Sequence, residues 1–363
     1  MAADLPVGTL VDSPDGAPAH LDARRFNRHT FWCGQSGSGK TYALGVVLEQ
    51  LLLGTQLPIL VLDPNGDFVR LGDTRDDAHP EPAARLAELD VRVLRPGVTG
   101  PDRLCVRYLD LDVRSKAAVL RLDPLHDAEE YNLLLHLEEE VEAGEIAATE
   151  FVDLLRDSDD PGRRRLLHRL ENLGVLRWEV FAWGGPSSEH VVAERPRATV
   201  MDLGGFREAD ELKVAALATL DHLWATREER RPVLIVIDEA HNLCSADPIT
   251  ALDQVLTERI VQIAAEGRKF GLWLLLSTQR PSKIHPNALS QCDNLGLMRM
   301  SSPRDLAELG QYFGYAPPDL LARTGTFAQG QALFAGGFAP TPGIVQVAAR
   351  LTHEGGSDVG VPL

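Results

Sequence analysis

The sequence predicts an α/β protein built on a mostly parallel sheet, layered with helices and interrupted by a helical insertion. Three observations carry that prediction. A glycine-rich loop, Gly34-Gln35-Ser36-Gly37-Ser38-Gly39-Lys40-Thr41, lies between an apolar strand-like run (30–33) and a periodic helix-like run (42–53). A continuous aliphatic run, Val233 to Ile237, reads as a strand buried on both faces, as in a parallel sheet. Between strand-like segments at 91–94 and 198–202 the pattern is mainly helical.

The loop is the most specific of these signals. Glycines at 34, 37 and 39 let the backbone turn tightly, so that its N–H groups and a helix N-terminus can face phosphate. Lys40 can reach the β and γ oxygens, and the Thr41 hydroxyl can ligate Mg²⁺. The spacing implies binding of a nucleoside triphosphate. A bare Gly/Ser connection between a strand and a helix would not need the Lys40-Thr41 ending.

The 233–237 strand ends in Asp238-Glu239-Ala240-His241. An open α/β sheet places ligands at the carboxyl ends of its strands, so an acidic pair there completes a nucleotide site. Asp238 is expected in the Mg²⁺ coordination sphere. Glu239 is expected to orient and polarise the attacking water, which points to hydrolysis. His241 is read as structural or as a minor supporting group, because no other helicase motif surrounds it.

The next strand-like run, 271–276, leads into Ser277-Thr278-Gln279-Arg280-Pro281. It brings the Gln279 amide to the same edge, where it can bond the γ-phosphate or the attacking water. Upstream, a helix from about Ile249 ends in Arg268 and Lys269. These cations either complement the helix dipole or supply an arginine finger to a neighbouring subunit. A further helix is expected over 211–227, with Leu212, Ala216, Leu220, Leu223 and Trp224 on one face.

Composition bounds the remaining classes. With 363 residues, 44% of them hydrophobic, the chain can bury one large core or two. No apolar run reaches the roughly 18 residues of a membrane span, and the N-terminus lacks a signal pattern, so a cytoplasmic protein with no membrane partner is expected. Cys33, Cys105, Cys244 and Cys292 are far apart in sequence, and neither a disulfide nor a structural metal is expected. The net charge of −17 argues against a protein that coats nucleic acid, while leaving room for DNA in a locally basic channel.

Within the helical stretch, 129–137 and 140–155 read as amphipathic helices and 157–162 as a turn. The acidic segment from Asp127 to Asp160 reads as a solvated face. Arg163-Arg164-Arg165 with His168 and Arg169 either touches phosphates or balances those acids. The Gly-rich C-terminus is expected to fray.

Taken together, the motifs resemble the HerA branch of the HerA/FtsK superfamily of ring-forming ATPases. The matching pieces are R-H-T-F-W-C-G-Q-S-G-S-G-K-T (28–41), I-L-V-L-D-P-N-G-D-F (59–68), V-L-I-V-I-D-E-A-H-N-L (233–243), E-G-R-K-F-G-L-W-L-L-L-S-T-Q-R-P-S-K-I (266–284) and R-L-T-H-E-G-G-S-D (350–358), in the family's order. The resemblance implies a RecA-like P-loop core, a homo-hexamer with ATP and Mg²⁺ at subunit interfaces, and double-stranded DNA in a central channel. It implies Gln279 as sensor, Arg268 as the finger acting in trans, Asp63 as an acidic helper near the nucleotide, and Arg28 as a second interface arginine.

On this basis residues 1–95 and 197–363 are expected to form the ATPase core, and 96–196 the insertion. The expected activity is a DNA translocase with a nuclease or other effector partner in repair or anti-phage defence. A conjugation or secretion ATPase, or a regulatory subunit gating an effector, is the alternative. Typical family members carry an N-terminal β-barrel that helps the ring assemble and dock its nuclease; here only about thirty residues precede the phosphate loop, a departure from the family's pattern that bears on ring assembly and partner docking.

Overall fold

The computed structural model describes residues 4–142, 151–183, 186–339 and 341–356. The strands are β1 (Asp4–Leu10), β2 (Pro18–Asp22), β3 (His29–Cys33), β4 (Ile59–Asp63), β5 (Val91–Leu94), β6 (Ala198–Asp202), β7 (Val233–Ile237), β8 (Leu272–Thr278), β9 (Cys292–Leu297), β10 (Gln331–Gly336) and β11 (Gly343–Val347). They form one sheet in the order β2-β1-β11-β10-β9-β3-β8-β7-β4-β6-β5. From β9 to β5 every pairing is parallel. β10, β11, β1 and β2 extend it as antiparallel strands.

The helices are α1 (Lys40–Gly54), α2 (Pro80–Ala87), α3 (Val113–Val119), α4 (Ala128–Glu142), α5 (Phe151–Arg156), α6 (Pro161–Asn172), α7 (Glu189–Glu194), α8 (Ala209–Ala225) and α9 (Ala251–Glu266), followed by short helices at Pro286–Leu289, Pro303–Tyr312 and Pro318–Arg323. The aliphatic strands alternate between two cores. Leu60, Leu62, Ile235, Ile237, Leu274 and Leu276 face the core containing α8, α9 and the helices between β5 and β6. Ile59, Val61, Leu234, Val236 and Leu275 face the core built on α1. A strand buried on both faces has no polar side to display, which is why 233–237 reads as an unbroken apolar run.

Residues ahead of β3 are part of this sheet. Leu5 and Val7 on β1, and Ala19 and Leu21 on β2, alternate into the α1 core, and β1 pairs with β11. That hairpin was not anticipated, because Pro6 and Gly8 interrupt its pattern.

In the helical stretch, α4 continues through Glu142 and does not break near 138–140; residues 143–150 lie outside the described set. Asp160 caps α6, so the expected turn ends two residues early, with Pro161 already in the helix's first turn. Of the two readings of the arginines there, the structure favours charge balance. Arg163 bonds Glu140 at 3.1 Å, Arg164 bonds Asp159 at 2.8 Å, Arg165 bonds Glu129 at 2.6 Å and Arg169 bonds Asp127 at 2.7 Å. All four cysteines are buried free thiols.

The chain's C-terminal segment straps α1 to the 63–75 loop. Glu49 of α1, fully buried, accepts from Leu351 N at 2.8 Å, Thr352 N at 2.9 Å and Thr352 Oγ1 at 2.6 Å. The buried Arg350 guanidinium lies 3.5 Å from the same carboxylate and stacks near Phe68. A Cβ on Gly45 would fall 2.5 Å from Arg350 Nε, so only glycine admits this side chain against the helix. Burial opposes charge on both partners, pushing the Glu49 carboxyl up and the Arg350 guanidinium down. Glu49→Ala is expected to cost about 3–5 kcal/mol, since it leaves three donors unpaired and removes the buried counter-charge of Arg350, which keeps only the half-exposed Glu354 at 3.7 Å. Chemical denaturation of the purified variant checks this; a loss below about 1 kcal/mol would remove the strap's structural importance.

Candidate nucleotide site

The loop 34–41 joins the carboxyl end of β3 to α1. Gly37 and Gly39 have φ of +71° and +86°, left-handed conformations that side chains resist. The loop is braced from the neighbouring β9 and β10 connections. Gln35 N donates to Arg299 O at 2.9 Å, its Oε1 accepts from Ser301 N and Oγ, and Gly330 N donates to Ser38 O at 3.2 Å. Ser36 and Gly37 are exposed, whereas Ser38 is fully buried.

Lys40 is 4% exposed and turns onto β7 and β8. Its Nζ donates to Asp238 Oδ1 at 2.7 Å and to Ser277 Oγ at 2.9 Å, and lies 3.4 Å from Glu239 Oε1. Burial works against the ammonium, but the Asp238 and Glu239 carboxylates outweigh it and hold its pKa above the usual lysine range. Ser277 Oγ completes the triangle with a 2.6 Å bond to Asp238 Oδ1.

Glu239 sits in a left-handed backbone conformation, φ 41° and ψ 47°, at the strand-to-loop corner. Such strain in a residue with a side chain persists only where the surroundings hold it. Its Oε1 accepts from Gln279 Nε2 at 2.8 Å, and Oε2 lies 3.3 Å from His241 Nδ1. His241 Nδ1 is in turn 3.0 Å from Thr278 Oγ1. Burial alone would raise the Glu239 pKa; His241, Lys40 and Gln279 together overcome it and hold the carboxyl at about 2.

Asp63 spends its oxygens on its own loop, accepting from Asn65 N, Asp67 N and Phe68 N at 3.3, 3.0 and 2.7 Å. Burial, opposed by those N–H groups, pushes its pKa to about 7. The residue this loop delivers is Asp67, whose Oδ2 accepts from Thr41 Oγ1 at 3.4 Å. Asp67 and Ser277 were missed in sequence, although both lie inside motifs singled out there.

A cleft of about 560 Å³ opens over Gly37, Lys40 and Thr41 and is walled by Tyr42, Asp67, Arg70, Arg75, Gln279, Gln329, His353 and Glu354. A larger groove of about 940 Å³ lies at the opposite edge of the sheet, around Arg195, Arg231 and Trp273. The glycine-rich loop and Lys40 line not the larger groove but the smaller cleft. The donor set there suits a divalent cation: Asp238 Oδ2 is buried with no hydrogen-bond partner, and the Thr41 hydroxyl, bonded to Asp67, lines the cleft. Among the described residues no cluster of three or more His, Cys, Asp or Glu forms a metal cage.

Arg268 is not in this cleft. It precedes β8 at the amino edge of the sheet, and its Nη1 donates to Asp293 Oδ2 at 2.6 Å. Arg28, just before β3, brings its Nε to 3.6 Å from the same oxygen.

Residues 5–217 match the family model described as "Helicase HerA, central domain". The chain belongs to the HerA helicase family. As a member it is an ATP-hydrolysing enzyme of the translocase class. The "DNA double-strand break repair helicase HerA" of Pyrococcus furiosus is 23% identical over 98% of this chain and 73% of its own length. The "Probable helicase MJ1565" of Methanocaldococcus jannaschii is 23% identical over 98% of this chain and 69% of its own. Among solved structures, VirB4 of Thermoanaerobacter pseudethanolicus superposes with a TM-score of 0.65 at 15% identity, covering 96% of this chain and 97% of that one, a likeness of fold. No helix among the described residues is long and apolar enough to cross a membrane.

Proposed function

We propose that this protein is an ATP-driven ring motor that moves along double-stranded DNA, with hydrolysis completed between subunits. The carrying observation is the separation of its machinery: Lys40, Asp238, Glu239 and Gln279 converge at the carboxyl edge of the sheet, while Arg268 and Arg28 cluster at the amino edge. β8 alone spans seven residues between the two, roughly 20 Å at ~3.3 Å per residue. An arginine placed there serves a neighbour's nucleotide.

In this reading Lys40 exchanges its carboxylate partners for the β and γ phosphates, and the loop N–H groups cradle them. Thr41 and Asp238 would hold Mg²⁺, which neutralises phosphate charge. Glu239, kept ionised, orients the attacking water, and Gln279, bonded to it, senses the γ-phosphate. Arg268 stabilises the charge that develops as the phosphoryl group departs.

The names of the archaeal relatives, a DNA double-strand break repair helicase among them, support DNA as the track. A motor that must pass any sequence grips the phosphate backbone, not the bases. A homo-hexamer in the cytoplasm working with a nuclease or other effector is part of the same proposal; co-purification with such a partner tests that element.

The direct test is steady-state ATP hydrolysis with and without linear duplex DNA, at low and moderate salt, alongside mass in solution. Stimulation by DNA in a hexamer-sized particle, weakening as salt rises, is the expected result. A hexamer whose turnover ignores duplex DNA at low salt would overturn the translocase reading.

A further inference from the structure

Three neighbouring parallel strands, β9, β3 and β8, begin at the same edge of the sheet, and each begins with a charge. Arg268 lies in the turn before β8, Arg28 immediately before β3, and Asp293 is the second residue of β9. Both arginines converge on one oxygen, Asp293 Oδ2, at 2.6 Å from Arg268 Nη1 and 3.6 Å from Arg28 Nε. Among the described residues no other carboxylate pairs with either arginine. We propose that Asp293 is the positioning residue of the arginine finger, fixing Arg268 and Arg28 as one rigid element aimed at the neighbouring subunit's nucleotide. This rests on the trans role of Arg268.

The geometry suits positioning. A guanidinium has five N–H donors in a planar fork, so one nitrogen held by Asp293 leaves the others to meet phosphate oxygens. The Arg268 and Arg28 side chains are 32% and 42% exposed, and Asp293 47%, so the cluster sits at the surface where another subunit can dock. A free arginine samples many rotamers, and a finger held only by solvent would lose that freedom at each encounter. The residue behind them is the buried His29, whose Nδ1 accepts from Leu274 N at 2.9 Å. Burial and the two arginines hold its pKa at about 4, so it stays neutral and brings no third cation.

Asp293→Asn keeps the shape and removes the charge. Expected are a fall in kcat of about tenfold or more, unchanged ATP binding and an unchanged melting temperature, with Asp293→Glu recovering part of the rate. Mixed with Glu239→Gln subunits, which carry an intact finger but a dead site, the Asn variant should regain hydrolysis, because its own site then faces a properly held arginine. A kcat within about twofold of wild type overturns the proposal, as does loss without recovery in mixtures where Arg268→Ala does recover. Arg268→Ala measured alongside separates the two failures. If it keeps full activity, the finger reading falls and Asp293 with it; if it loses activity while Asp293→Asn does not, only the positioning role falls.

Discussion

Replacing Arg268 with alanine is expected to lower the maximal rate of ATP hydrolysis by about 10³–10⁵-fold, the range found for arginine fingers, with little change in ATP binding. The physical reason is that the side chain meets charge that exists only in the transition state, so its loss appears in kcat. Its place at the amino edge, bonded to Asp293, keeps it out of its own chain's cleft. Mixing the variant with Glu239→Gln subunits should restore part of the rate, because each mixed interface joins an intact site to an intact finger. Normal turnover by the single variant in a purified ring, or no recovery in mixtures, would sink the trans assignment.

Glu239→Gln is expected to bind ATP and to hydrolyse it about 10²–10⁴-fold more slowly, the usual contribution of a positioned general base. The amide keeps an oxygen for Gln279 Nε2 but loses the charge that Lys40 and His241 stabilise. Because the wild-type carboxyl is held at about 2, the active carboxylate form persists as pH falls and is lost only on approaching that value. A limb in the rate profile between about pH 5 and 7 would therefore belong to another group, and Asp63, which burial raises to about 7, is a candidate. By linkage, the depressed value also contributes stability above the ordinary glutamate range, lost as pH drops toward 2. Rapid-quench measurement of bound ATP separates binding from chemistry; a variant with wild-type turnover would remove Glu239 from the reaction.

Much of the core was legible because its signals are local. The strand–loop–helix around Lys40, the buried run 233–237 and the strands at 91–94 and 198–202 each carry their own periodicity, and the structure places them at those positions. The β1–β2 hairpin was not legible, since Pro6 and Gly8 blur a strand that pairs with both β2 and the distant β11. The two separate helices expected over 129–137 and 140–155 give way to one helix through Glu142 at that point, where Glu140 is held by Arg163 of α6 arriving from elsewhere in the chain.

By itself the sequence determined the α/β class and the nucleotide chemistry, because a phosphate loop and an acidic strand end require particular residues at fixed spacing. Tertiary structure decided the partnerships. Asp63 and Asp67 are equally plausible in sequence, and only the loop's hydrogen bonds turn the first inward and bring the second to Thr41. Arg28, Arg268 and Asp293 are scattered along the chain, and nothing local joins them. They meet because β9, β3 and β8 lie side by side in parallel, which brings the starts of distant segments to one edge.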